Sequence, residues 1–203
     1  MSRIIPLDPK QASGETADIF REIASAFGMV PNLFRTAAHH PPLLRANWNK
    51  VKAVMMEGGL SRKVKETIAV LVSKDNGCDY CVAAHSAALR AIGLSPEAIA
   101  GIMEDPDKGD FTAKEKALIG LARQANLAPR RIAEGQFHAL RELGVTDAEI
   151  VEALGVMELF VGFNRFLDSL QVDIDFPIEG KDEAPKALAG ALDVMTENAL
   201  EKE

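Results

Sequence analysis

The sequence predicts an all-α fold on three observations. Apolar residues recur every three or four positions through most of the chain, and no stretch shows the apolar–polar alternation of a half-buried strand. Residues that typically start and stop helices bracket these apolar stretches. The chain also repeats itself, because residues 60–99 superpose on residues 111–150 at an offset of 51 with eight identities in 40 positions.

The first quarter of the chain predicts an irregular leading segment followed by two helices. Prolines and a glycine interrupt residues 1–14. From residue 15 to residue 27 the apolar side chains keep helical spacing, and Gly28 is the expected stop. A second helical pattern starts at Pro41, where proline suits a first helical turn, and continues to Met55 before two glycines end it.

The first copy of the repeat predicts a helical hairpin. Ser61 is the expected N-cap of a helix that runs to about residue 74. Residues 75–77 form a turn, and a second helix then runs from Cys78 to Gly93. Ser95 followed by a proline starts a short third helix.

The second copy predicts a matching hairpin and a long final helix. Thr112 opens its first helix with a capping-box pattern, since a glutamate follows three residues later. Pro129 opens the next helix and Gly144 closes it. A final helix is expected from Thr146 to about residue 170.

The second copy keeps the packing and capping residues but loses four candidate chemical residues. Glu66, Cys78, Cys81 and His85 stand opposite an alanine, a proline, an isoleucine and a glutamine, respectively. Because all four are present in one copy and absent from the other, we interpret them as a functional set.

Composition and charge exclude several classes of protein. The chain carries a net charge of −7, so it lacks the basic surface that binds nucleic acid. It has no run of about 20 apolar residues that would span a membrane, and no signal-peptide run precedes Pro6. A cytoplasmic location is therefore expected. Two cysteines are too few for a secreted disulfide scaffold, and in a reducing compartment a close pair more often serves redox chemistry or metal binding.

The spacing of the candidate residues predicts that they meet on the first hairpin. Cys78, Cys81 and His85 occupy positions i, i+3 and i+7, which lie on one face of a helix. Adjacent-turn positions lie about 5–6 Å apart, within the range that a disulfide spans. In an antiparallel hairpin Glu66 stands level with His85, and a carboxylate beside an imidazole fixes its tautomer and strengthens it as a base.

The pattern Glu66, Cys78-x-x-Cys81 and His85 resembles the alkylhydroperoxidase D-like branch of the carboxymuconolactone decarboxylase family. Residues 28–32 and 41–44 are similar to its peroxidase-related members. The resemblance covers about residues 15–170. It implies an alkylhydroperoxidase D-like helical array with an internal helical-hairpin repeat, and a homo-oligomer, often a trimer or hexamer.

The resemblance also implies roles for the four residues. Cys81 would attack the peroxide and Cys78 would resolve it, with Glu66 and His85 as the proton relay. The implied substrate is a small-molecule hydroperoxide, and a separate thiol or dithiol reductant would reopen the disulfide. No cofactor, metal, nucleic acid or membrane partner is expected.

Two features of the cysteine motif qualify these roles. The helix dipole alone favours Cys78 as the more acidic thiol, because it lies nearer the helix start. The resemblance favours Cys81 as the attacking thiol, and His85 is one turn from Cys81 but two turns from Cys78. Tyr80 stands where the best-known members carry a histidine, and a phenol is a poor base at neutral pH.

Other interpretations remain open from the sequence. The cysteines are also compatible with a buried apolar pair, a zinc site, a cofactor-free decarboxylase of lactone acids, or a non-catalytic redox-sensing oligomer. Asn164 and Arg165 interrupt an apolar run and could line a site. A single domain is expected over residues 1–177, followed by an acidic tail, residues 178–203, that fits either a docking helix or a solvated end.

Overall fold

The structure, a computed structural model, describes residues 1–176, and the acidic tail lies outside the described residues. Every regular element within residues 1–176 is helical, which confirms the all-α class. The α-helices are α1 Gly14–Phe27, α2 Asn32–Ala37, α3 Pro41–Val51, α4 Arg62–Asp75, α5 Asp79–Ala91, α6 Pro96–Glu104, α7 Ala113–Leu127, α8 Glu134–Glu142 and α9 Asp147–Leu170. None of the helices in this part of the chain is long and apolar enough to cross a membrane.

The internal repeat is present as two helical hairpins with the same caps. The Ser61 hydroxyl accepts the Val64 N–H at 3.3 Å, and the equivalent Thr112 hydroxyl accepts the Glu115 N–H at 3.2 Å. The two glycines that end the hairpins have φ values of +95° and +76°, the left-handed conformation that glycine adopts without strain. The α4–α5 hairpin therefore corresponds to α7 and α8.

The second hairpin differs from the sequence prediction at Pro129. The prediction of a continuous helix from this residue is wrong, because Pro129–Arg131 forms a 3₁₀ turn and α8 begins only at Glu134. Two glutamines stabilise this interruption of the helix. Gln136 accepts the Ala133 N–H at 2.9 Å, and Gln124 donates to the Arg131 carbonyl at 3.2 Å. Side chains thus satisfy the backbone groups that a continuous helix would have paired.

Two further elements in the first third were not expected. The short helix α2 buries four of its six residues, so tertiary packing rather than length stabilises it. Helix α3 does not remain α-helical to Met55, because residues Lys52–Met56 form a π-helical turn. This turn carries Met55 and Met56, which line the cavity described below.

Helix α4 is the centre of the core. Residues 64–73 are all buried, and α4 packs against α5, α7 and α9. A helix that is covered on all sides is normally apolar all round, so its buried charges need partners. The structure supplies one for Lys65, whose ammonium lies 2.7 Å from the Glu152 carboxylate of α9.

Glu152 also fixes the loop that follows the π turn. Its carboxylate accepts the N–H groups of Gly59 and Leu60 at 2.9 and 3.2 Å. Gly58 has φ +97°, and a Cβ atom there would lie 2.2 Å from Glu152 Oε1. The close approach of the carboxylate therefore requires glycine at this position.

Candidate active site

The α4–α5 hairpin positions the four residues that the sequence singled out. Cys78 is the N-cap of α5, Cys81 lies in its first turn, and His85 lies one turn further on. Glu66 of α4 faces His85, with 2.7 Å between Oε2 and Nδ1. Both cysteines are free thiols and lie in hydrogen-bond contact with each other. The structure therefore places the set as two adjacent pairs, one of thiols and one of an acid and a base.

A cavity of about 130 Å³ opens beside the two pairs. Cys81, His85 and Glu66 line it, whereas Cys78 does not and is 0% exposed. The remaining wall is mostly apolar, and its aromatic members are Phe27, Phe34, Tyr80, Phe160, Phe163 and Phe176. An engineered apolar cavity of about 150 Å³ binds benzene, so this one has room for a small hydrocarbon group.

Contact between the two thiols shifts their pKa values in opposite directions. The pKa of Cys78 is lowered, chiefly because the Cys81 thiol donates a hydrogen bond to it and secondly because the Cys81 backbone N–H does the same. Burial and the nearby Asp168 carboxylate oppose this effect. The pKa of Cys81 is raised well above its ordinary value by the Cys78 neighbour and by burial. Of the two thiols, Cys78 is therefore the one that loses its proton more readily.

Two polar side chains behind Cys81 act in the opposite direction. Ser73 and Asn164 form hydrogen bonds with the Cys81 side chain that lower its pKa. Asn164 is 0% exposed, donates to the Ser73 hydroxyl at 3.0 Å, and accepts from Asn76 at 2.9 Å. These groups form a fixed polar shelf that would stabilise a Cys81 thiolate.

The shelf was only partly foreseeable from the sequence. Asn164 was noticed as a polar interruption in an apolar run, but nothing assigned it to a cysteine. Neither Ser73 nor Asp168 was predicted as a site residue. The positions of Asn164 and Asp168 depend on how α9 crosses the hairpin, which spacing within one helix does not determine.

His85 is held in one orientation on both sides. Glu66 engages its Nδ1 atom, which leaves Nε2 as the nitrogen available to a ligand. The ring of Phe160 meets the imidazole edge-on, with 4.2 Å between the ring centroids. His85 is thus packed against the aromatic wall of the cavity while a carboxylate fixes its tautomer.

The surroundings of Tyr80 indicate a structural role and not the role of a base. Its hydroxyl accepts the Leu33 N–H at 3.2 Å, and its ring packs edge-to-face on Phe176 at 5.5 Å between centroids. Burial, followed by the nearby Asp175 carboxylate, raises its pKa well above 10. Tyr80 therefore ties α5 to α2 and to the segment after α9.

The zinc alternative finds no ready-made ligand cluster in this part of the chain. Among residues 1–176 no group of three or more His, Cys, Asp or Glu side chains is arranged to hold a metal ion. Each member of the candidate set is engaged as a hydrogen-bond partner of another member.

The second hairpin confirms that its matching positions are used for structure. Gln136, which corresponds to His85, donates to Gln124 at 2.6 Å and caps the start of α8. The 3₁₀ turn Pro129–Arg131 occupies the place of the cysteine motif. The two hairpins therefore share a scaffold, and only the first carries ionisable groups facing the cavity.

Comparisons with known proteins agree with this architecture. A model of the carboxymuconolactone decarboxylase family matches residues 41–124, which include the whole α4–α5 hairpin. Over 100 residues the chain is 30% identical to an alkyl hydroperoxide reductase of Mycobacterium tuberculosis, a match that covers 49% of this chain. This match spans only 29% of the length of the mycobacterial protein. A second match, 26% identical over 87 residues to the uncharacterized protein YdfG of Bacillus subtilis, spans 59% of that protein.

Two solved structures match nearly the whole described fold. A peroxidase-related protein of Ralstonia eutropha, solved as an alkylhydroperoxidase AhpD core, is 29% identical with a TM-score of 0.77 over 86% of this chain and 92% of that one. A peroxidase-related protein of a Silicibacter species is 26% identical with a TM-score of 0.73 over 92% and 95%.

Proposed function

Because the chain belongs to the carboxymuconolactone decarboxylase family, in its alkylhydroperoxidase D-like, peroxidase-related branch, we propose that it is a thiol-dependent reductase of organic hydroperoxides. The observation that carries the proposal is the position of Cys81. Its thiol lines an aromatic cavity, with the His85–Glu66 pair one turn away and Cys78 in contact behind it.

Cys81 is the attacking thiol in this proposal, because it alone of the two cysteines lines the cavity. Once Cys78 has lost its own proton, the Cys81 proton passes to it along their hydrogen bond. Ser73 and Asn164 stabilise the negative charge that then resides on Cys81. In this proposal Cys78 is therefore the internal base and Cys81 the nucleophile.

The first chemical step breaks the peroxide bond. The Cys81 thiolate attacks the terminal oxygen of the hydroperoxide, a sulfur–oxygen bond forms, and the oxygen–oxygen bond breaks. The departing alkoxide takes a proton from His85 and leaves as an alcohol. Glu66 keeps the imidazole oriented for this transfer.

The second step closes the disulfide and the third reopens it. His85, which has given up its proton, takes the proton of Cys78, and the Cys78 thiolate attacks the sulfur of the Cys81 sulfenic acid. The sulfur–oxygen bond breaks, and the hydroxyl leaves as water with the proton that His85 returns. An external thiol or dithiol then reduces the disulfide and is itself oxidised. The sum is one hydroperoxide and two thiol hydrogens converted to an alcohol, water and a disulfide.

The proposal is tested by counting thiols after reaction with cumene hydroperoxide. Reduced protein treated with one equivalent should lose two thiols per chain and form a disulfide between Cys78 and Cys81, and dithiothreitol should support repeated turnover. His85→Gln, which introduces the residue of the second hairpin, should slow the reaction about 10²–10⁴-fold, the usual contribution of general acid–base catalysis. His138→Gln, at an exposed histidine of α8, is the matched control and should react like the wild type.

Two alternatives predict different outcomes in the same experiment. A decarboxylase would leave the thiols reduced while releasing carbon dioxide from a lactone acid. A redox sensor would oxidise once and show no turnover with any reductant. Either result would overturn the peroxidase assignment.

We also propose that the protein acts as a homo-oligomer. Leu127, Leu143 and Val151 are large apolar residues that the described structure leaves exposed. Light scattering that gives the mass of a single chain at micromolar concentration would refute this.

A further inference from the structure

Arg62 lines the active-site cavity and carries a donor without a partner. It is the first residue of α4, and its side chain is 22% exposed. Its Nη1 atom is fully enclosed and has no hydrogen-bond partner within the described residues. An enclosed guanidinium donor among apolar side chains is unfavourable unless an acceptor reaches it.

Glu66 does not satisfy this arginine completely. The Arg62 Nε atom lies 3.5 Å from Glu66 Oε1, beyond a well-formed hydrogen bond. The other carboxylate oxygen is engaged by His85 at 2.7 Å. Glu66 is therefore committed to the histidine, and Nη1 has no acceptor among the described residues, although the Arg62 side chain lines the cavity.

The cavity runs along α5 from the thiol towards the arginine. Cys81, Ala84, His85 and Ala88 all line it on the α5 side. Seven residues of helix separate Cys81 from Ala88, which is about 10 Å along the axis. In the antiparallel hairpin, Arg62 lies one turn beyond the Glu66–His85 pair, at the end of the cavity opposite the thiol. On this side Ala84 and Ala88 contribute only methyl groups to the lining, with His85 between them.

We propose that Arg62 binds the carboxylate of the substrate, so that the enzyme prefers small apolar acids whose hydroperoxide group lies at the opposite end from the carboxylate. The acid group would accept hydrogen bonds from the Arg62 guanidinium, whose side chain is 22% exposed and lines the cavity, the hydrocarbon would contact the aromatic side chains, and the peroxide would reach Cys81. A carboxylate on a hydrocarbon suits the size and apolar lining of the cavity better than a bulky phosphate ester does. This substrate class rests on the proposed peroxidase function, but the anion site itself does not.

Binding without chemistry tests the site. We would titrate reduced protein calorimetrically with 4-isopropylbenzoate and with the uncharged 4-isopropylbenzamide. A charge-assisted hydrogen bond should make the benzoate bind about ten- to a hundredfold more tightly than the amide. Arg62→Met should remove this preference. Lys63→Met is the matched control, because it deletes an adjacent positive charge whose ammonium donates to the Asp110 carbonyl and contacts Phe111 outside the cavity, and it should keep the preference.

Two outcomes would overturn the proposal. One is equal binding of benzoate and amide to the wild type, which needs no variant and so decides the matter even if Arg62→Met fails to fold. The other is a preference retained in Arg62→Met. Benzoate binding that depends on Arg62, together with inert thiols, would support the anion site and refute the peroxidase instead.

Discussion

Replacing Asn164 with leucine should weaken both the fold and the chemistry. The side chain is completely buried and joins α9 to the hairpin through hydrogen bonds of 3.0 Å to Ser73 and 2.9 Å from Asn76. Each such bond contributes about 0.5–1.5 kcal/mol net. Leucine is similar in size and recovers part of the loss through apolar burial. We therefore expect a decrease of about 1–2 kcal/mol in the free energy of unfolding.

The effect on reactivity follows from the contact with Cys81. Asn164 lowers the pKa of that thiol, so its removal raises the pKa and reduces the thiolate available at neutral pH. A hydrogen bond to a charged group contributes about 1.5–3 kcal/mol, which corresponds to about ten- to a hundredfold in rate. Stopped-flow oxidation by cumene hydroperoxide and urea unfolding measure the two effects separately.

A matched substitution separates this effect from general damage. Asn126→Leu on α7 makes the same chemical change at a side chain whose buried amide nitrogen has no partner in the described structure. It should leave the oxidation rate unchanged and stability equal or higher. If Asn164→Leu oxidises at the wild-type rate, the polar shelf has no part in activating Cys81 and that step of the mechanism is wrong.

Three further predictions concern acidity and backbone strain. Asp168→Asn removes a carboxylate that raises the pKa of Cys78, so the midpoint of thiolate formation, followed by ultraviolet absorbance, should move to lower pH, and an upward shift would contradict this. Gly58→Ala should destabilise the fold by about 2 kcal/mol or more, whereas Gly77→Ala, also at positive φ but with open space around it, should cost only about 1 kcal/mol; equal losses in chemical unfolding would refute the steric argument. Glu22 has its pKa lowered from 4.5 to about 2, first by its hydrogen bond from an arginine, so it stabilises the fold above pH 4.5 and loses this effect as the pH falls towards 2. Because its carboxylate is 39% exposed, Glu22→Gln should cost only about 1 kcal/mol at neutral pH, and a loss that persists at pH 2 would show another cause.

The sequence predicted most of the helices because caps, stops and apolar spacing are visible within each helix and its flanking residues. Caps at Ser61, Thr112 and Thr146 and stops at Gly28 and Gly93 lie where the structure has them. The two elements that the sequence did not predict correctly lack such signals. The short helix α2 has too few residues for a periodic pattern, and the break after Pro129 depends on Gln124 of α7 and Gln136 of α8.

The candidate site was predictable as far as one hairpin reaches. Helical geometry placed Glu66 level with His85, and the structure has them in contact at 2.7 Å. Asn164 and Asp168 were not predictable as neighbours of the cysteines, because their proximity is set by the crossing of α9 over α4 and α5. The sequence alone did not decide which thiol attacks first, because the helix dipole favours Cys78, whereas access from the cavity favours Cys81.

The most direct test of the central claim is the site of oxidation in the single cysteine variants. Cys78→Ser treated with one equivalent of cumene hydroperoxide should gain the mass of one oxygen atom on Cys81, because the sulfenic acid forms there and cannot be resolved. The oxidation should be slower than in the wild type, because Cys78 no longer accepts the Cys81 proton. Cys81→Ser should remain reduced, because Cys78 does not line the cavity. Oxidation of Cys78 in Cys81→Ser, with Cys81 inert in Cys78→Ser, would contradict the account.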